Sequence, residues 1–205
     1  MKDLEIRGAG NLLGGEQSGH IADVGFDLYV RLVGEAVAEY RGDAGAAVPD
    51  VRVELPVDAH LPHDYVPSER LRLEAYRRLS EAVTDADVDA MRDELDDRYG
   101  EPPRPARNLL EVARFRAHAR SAGLREVTLA GRHVRFGPVS LRDSQRVRLD
   151  RLYPRSLVKE AVGTVLVPRP TTALVGGTPL RDVELLLWAR ELVDSVLLRE
   201  PASVR

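Results

Sequence analysis

The chain has 205 residues, 43% apolar and 31% charged, with a formal net charge of −3. That balance supplies enough apolar residues for a sizeable core and excludes a disordered chain, while no apolar run reaches the roughly 18 residues of a membrane span. Cysteine is absent, which excludes disulfides and thiolate metal sites, and the opening MKDLEIRG has no apolar leader, so a cytoplasmic protein without a membrane partner is expected.

The first segment, residues 3–25, sets Arg7 and Gln17 among Gly8, Gly10, Gly14, Gly15 and Gly19. Glycines permit positive φ and close backbone approach, and a guanidinium and a carboxamide make geometrically specific hydrogen bonds, so this reads as a loop that presents polar groups. Next, Phe26, Tyr29, Val30, Val33, Val37 and Tyr40 recur at helical spacing and predict an amphipathic helix, followed by an aperiodic linker over 42–50. VRVELPV alternates Val51, Val53, Leu55 and Val57 as a strand with one buried face, and Pro56 marks an edge or an end. Ser68 is the expected N-cap of a helix presenting Leu71, Ala75, Leu79 and Val83. After a break at Thr84, a second helix presents Val88, Met91, Leu95 and Tyr99 up to Gly100. A third begins at the prolines 102, 103 and 105 and ends at Gly123. The period then changes to two, with Leu124, Val127 and Leu129, a turn at Gly131, and Val134 with Phe136 forming a hairpin. A helix over 141–152, a strand near 162–168 and a last helix from Thr178 or Pro179 to about Leu198 complete an α+β fold.

Several apparent chemical motifs are incomplete. The glycine loop resembles a phosphate cradle, yet its spacing is G-x-G-x-x-x-G and no G-K-[ST] occurs. Asp85, Asp87 and Asp89 are spaced like calcium-loop ligands, but Ala90 and Asp96 stand where glycine and glutamate belong. His60 and His63 form an H-x-x-H in a proline-spaced loop with no third ligand apparent, and we read them as loop histidines. No nucleophile–base pattern is present, so no catalytic or metal residue and no cofactor are assigned.

Charge is unevenly distributed. Residues 1–100 hold 11 basic against 22 acidic side chains, whereas residues 101–205 hold 19 against 11. Intramolecular attraction is the simpler account, and complementary partners are the alternative. Arginines 114, 116, 120 and 125, and 142, 146, 148, 151 and 155, could meet phosphates, but with few aromatics they read first as solvated helix faces. In the last helix, the run Leu185, Leu186, Leu187 and Trp188 suggests burial on two sides, with a partner surface as the second reading.

DLEIRGAGNLLGGEQSGHIADVGFDLY closely resembles the segment after the last helicase motif of transcription-repair coupling factors, and less closely its counterpart in RecG-type translocases. ELPVDAHLPHDYVPSERLRLEAYRRL and DELDDRYGEPPRPARNLLEVARFR resemble the C-terminal domain peculiar to coupling factors, so the resemblance covers nearly the whole chain.

The resemblance implies the C-terminal part of a bacterial ATP-dependent DNA translocase that displaces stalled RNA polymerase and recruits nucleotide-excision repair through the UvrA protein. It places residues 1–41 at the end of the translocation motif, 42–50 in a linker, 51–200 in the regulatory domain and 201–205 in a tail. Arg7 and Gln17 fall on the residues that couple hydrolysis to movement, and Gly8, Gly10, Gly14 and Gly19 become the hinges of that loop. A delocalised guanidinium suits this role because it changes acceptors between nucleotide states without losing charge. ATP and Mg2+ belong to motor lobes that the resemblance places upstream, so this chain is not expected to be an enzyme alone. The regulatory domain is expected to pack on a UvrB-like module of the same protein and mask its UvrA-binding surface, with RNA polymerase and duplex DNA met by other domains. The alternative is an independent DNA-binding or protein-interaction module that uses the basic second half.

Overall fold

A computed structural model describes residues 51–173 and 176–198. The chain order among them is β1 Arg52–Glu54, α1 Glu69–Glu81, α2 Asp85–Tyr99, α3 Arg104–Ser121, β2 Glu126–Ala130, β3 His133–Gly137, α4 Asp143–Leu152, β4 Leu157–Lys159, β5 Thr164–Pro168 and α5 Asp182–Leu192. A mixed five-stranded sheet in the order β1-β2-β3-β5-β4 carries these helices, so the fold is α+β, as expected from the changes of period. The helix over 26–40 and the linker over 42–50 lie outside the described residues.

Local signals place most boundaries. Ser68 Oγ accepts from Leu71 N at 3.4 Å and starts α1. Thr84 and Asp87 form a reciprocal capping box: Thr84 Oγ1 accepts from Asp87 N at 3.2 Å and Asp87 Oδ2 from Thr84 N at 2.8 Å. Gly100, at φ 80°, ends α2 in a conformation that side-chain-bearing residues resist. Strand β1 is shorter than the expected run because Pro56 offers no N–H and Val57 N turns back to Leu55 O at 2.8 Å. It is the sheet's edge, paired parallel with β2, and α1–α3 form the crossover that a parallel pair requires.

Val53, Val127, Val134, Phe136, Val165 and Val167 share the inner sheet face, because the register sets Val53 opposite Val127, Val127 opposite Phe136 and Val134 opposite Val167. Against them packs α3, buried along most of its length, which also touches α5, α2 and α1. Trp188 of α5 stands edge-on to Tyr153 at 5.9 Å and tilted against Phe136 at 6.4 Å, linking helix, loop and sheet.

Four expectations are corrected. Val83 lies past the end of α1 and is 60% exposed; Ala75, Tyr76 and Leu79 are buried and Leu71 and Leu73 pack partly buried beside them. The arginines of α3 are not a solvated face: Arg116 is 2% exposed, Arg114 pairs with Asp89 and Glu111, and Arg120 Nη1 donates to Ala82 O. Strand β4 is an addition to the expected elements; Leu157 and Lys159 are exposed and it is only three residues long, too little for a pattern. The last helix starts at Asp182 and passes at Val193 into a π-turn ending at Leu197. Gln145 holds that turn, donating through Nε2 to Val196 O at 2.9 Å and Leu197 O at 3.2 Å while its Oε1 accepts from Arg142 N at 3.0 Å.

The cap has a pH signature. Backbone N–H groups of Val83 and Thr84 and the Thr84 hydroxyl hold the Asp87 carboxyl below its usual value, and Arg114 does the same for Asp89. Depressed carboxyls stabilise the fold above their unfolded value of about 3.8, and that contribution is lost as pH falls through the lower folded values. Thermal melts between neutral and strongly acid pH should show stability falling in this window, with a shallower fall in Asp87→Asn and Asp89→Asn. An identical acid limb in both variants would refute the assignment.

Candidate interaction surface

The coupling residues expected from sequence, Arg7 and Gln17, and the hinges Gly8, Gly10, Gly14 and Gly19 lie outside the described residues. The other motifs have structural partners. His60 Nδ1 lies 3.0 Å from Asp58, and His60 is tied to α3 through its backbone N–H, which donates to Pro105 O at 3.3 Å. His63 is exposed. Of the calcium-like aspartates, Asp85 meets Arg190 of α5 at 3.5 Å, Asp87 caps α2, and Asp89 meets Arg114 of α3 at 2.6 Å. Among the described residues no group of three or more His, Cys, Asp or Glu is arranged to hold a metal, and no helix is long and apolar enough to cross a membrane.

The charge division becomes a layered contact. Helix α2 is rich in aspartate and glutamate; α1 on one side and α3 on the other answer it with arginine. Arg78 of α1 reaches Glu94 at 2.5 Å and Arg114 of α3 reaches Asp89 at 2.6 Å, while Arg98 within α2 also meets Glu94 at 3.1 Å and Glu111 within α3 meets Arg114 at 3.3 Å. Arg107 closes the far end on Glu101 at 3.1 Å. The Asp89 contact raises the Arg114 guanidinium above its usual value against the opposing effect of burial. Between α2 and α3 lies an open cleft of about 320 Å³ lined by Arg92, Asp96, Glu101, Arg107, Glu111 and Arg114. Its charged walls do not suit an apolar small molecule.

Not all of the acid is consumed. Asp93, Asp96 and Asp97 are exposed on α2; Asp93 meets only its neighbour Arg92, at 2.9 Å, and Asp96 and Asp97 make no ion pair with a described residue. Helix α2 therefore buries Val88, Met91 and Leu95 and turns an acidic face outward.

This surface belongs to a recognisable domain class: residues 55–150 match the TRCF domain, which covers β1's exit, α1–α3, the hairpin and most of α4. The transcription-repair-coupling factors of Mycobacterium bovis and Mycobacterium tuberculosis are each 51% identical over 208 residues, 96% of this chain and 17% of theirs. That of Staphylococcus epidermidis is 41% identical over 138 residues, 66% of this chain and 12% of its own. A crystal structure of the C-terminal domain of a transcription-repair coupling factor superposes with a TM-score of 0.54 and 18% identity, covering 72% of this chain and 94% of that one, a likeness of fold. The chain belongs to the transcription-repair coupling factor family. It spans less than a fifth of the length of the mycobacterial relatives it matches.

Proposed function

We propose that this chain is the C-terminal regulatory part of a cytoplasmic, ATP-dependent duplex DNA translocase that displaces stalled RNA polymerase and recruits nucleotide-excision repair. The supporting observation is the outward acidic face of α2, on a helix whose other acidic groups, Asp85, Asp87, Asp89 and Glu94, are engaged within the fold. Such a face docks on a cationic surface with the moderate strength that a releasable mask needs, since a coupling of about 1–3 kcal/mol shifts a partner's affinity without locking it. Residues 51–200 are the masking domain, which lies on the UvrB-like module and covers its UvrA-binding surface. Residues 42–50 link it to residues 1–41, where Arg7 and Gln17 transmit nucleotide state to movement and Gly8, Gly10, Gly14 and Gly19 provide hinges. ATP and Mg2+ are bound by motor lobes elsewhere in the parent, and this part binds rather than catalyses.

The test is complementation in trans. Added to a coupling factor lacking this domain, the chain should compete with UvrA in a saturable manner. Undiminished UvrA binding at high concentrations of the chain would contradict masking.

A further inference from the structure

The end of the sheet at the β2–β3 turn is basic by construction. Arg169 N donates to Arg132 O at 2.8 Å, and Arg169 Nε donates to Leu180 O at 2.9 Å, so Arg132, Arg169 and Arg181 occupy adjoining positions. Pairing of Leu157 with Leu166 brings the chain just before β4, with Arg155, to the same end. Arg132, Arg155 and Arg181 are exposed and make no ion pair with a described residue. No aspartate or glutamate occurs in residues 127–142 and 161–181, which hold Arg132, Arg169 and Arg181, or in residues 151–159 around Arg155. The adjoining Asp182 is engaged, accepting from Asp58 N at 3.1 Å and facing Arg104 at 3.4 Å. The loop beside it is tied internally, Thr171 Oγ1 donating to Ala173 O at 2.7 Å and Thr172 Oγ1 accepting from Thr178 N at 3.1 Å, and the tight turn at Gly131, φ 61°, closes the rim.

The rim's composition selects the partner. A protein interface is anchored by clusters of large apolar or aromatic side chains, yet among the described residues the exposed large apolar side chains nearest in sequence to these arginines are Leu152 and Leu157, either side of Arg155; none adjoins Arg132, Arg169 or Arg181, and the one inside residues 127–142 and 161–181 is Val162. Val162 is in the 3₁₀ turn at the opposite end of β5. Single-stranded nucleic acid is held by exposed aromatics, and the one Phe, Tyr or Trp in residues 127–142 and 161–181, Phe136, is buried. Arginine donors with few exposed apolar anchors among the described residues suit the sugar–phosphate backbone, whose contacts position a duplex without reading its sequence. From β3 across β5 to β4 the rim spans two strand spacings, roughly 10 Å, enough to meet several phosphates.

We propose that Arg132, Arg155, Arg169 and Arg181 form a sequence-independent binding surface for the phosphodiester backbone of duplex DNA. It is separate from the acidic face of α2, so both contacts can exist in one molecule. Arg169, committed to Leu180 O, holds the two loops together, and Arg132, Arg155 and Arg181 meet the phosphates.

Fluorescence anisotropy of the full chain with short labelled duplexes, from about 50 to 200 mM salt, tests this. Arg132→Gln/Arg181→Gln should weaken binding at least about tenfold at low salt and make the salt slope shallower by roughly 2, because about 0.9 counterions are released per phosphate neutralised. Arg70→Gln/Arg77→Gln, an equal charge change on α1, should leave slope and affinity near the parent values, with circular dichroism melts confirming both folds. Absence of binding at low salt, equal losses in the two variants, or tighter binding of poly-glutamate than of DNA would each overturn the proposal. UvrA competition by the rim variant should stay intact, which separates this site from the masking face.

Discussion

Phe136→Ala is expected to cost about 3–5 kcal/mol of folding stability. Phe136 is fully buried on β3, the strand between β2 and β5, and faces Val127 and Val165 across the register. Its ring also touches Trp188, which in turn meets Tyr153, so truncation opens a cavity where the sheet, α5 and the loop after α4 converge. Close-packed interiors relax little into such cavities, which adds to the lost transfer energy. In a domain whose whole stability is about 5–15 kcal/mol, urea unfolding should show a large fall in midpoint with little change in slope. Val147→Ala, at a site 69% exposed on α4, should change stability by less than about 0.5 kcal/mol. Comparable midpoints for the two variants would refute the assigned core.

Elements with strong local signals are legible from sequence. Ser68, Thr84 and Gly100 place helix ends because caps and left-handed turns depend on one or two residues, and Gly131 places the hairpin turn for the same reason. Features that depend on distant neighbours are not legible. Strand β4 exists because β5 pairs with it, and neither its length nor its exposed residues announce a strand. Arginines 114, 116 and 120 follow a pattern that also describes a solvated face; the packing of α3 among its neighbouring helices, with Arg114 on Asp89 of α2 and Arg120 reaching Ala82, encloses them. The π-turn at Val193 likewise rests on Gln145, about fifty residues earlier, whose amide satisfies carbonyls that the wider turn frees. For the candidate surface, the charge division can be counted along the chain but its outward part cannot, because whether Asp89 or Asp93 faces a partner is decided by the side of α2 that meets α3.

The second large effect is functional and follows from that division. Asp93 and Asp97 are exposed and make no ion pair with another helix among the described residues, so Asp93→Lys/Asp97→Lys should leave the melting temperature nearly unchanged while reversing the charge of the proposed docking face. Like charges across an interface cost more than a missing pair, and the domain should be displaced from a cationic module. In the full-length factor this should raise UvrA affinity about tenfold, within the range of about 5–150-fold that a coupling of a few kcal/mol produces.

The most direct measurement is UvrA affinity of the full-length factor, of the same protein without residues 51–205, and of the Asp93→Lys/Asp97→Lys variant. Masking by this domain predicts weak binding by the first and strong binding by the second, with the variant moving toward the second. Equal UvrA affinity with and without residues 51–205 would contradict it.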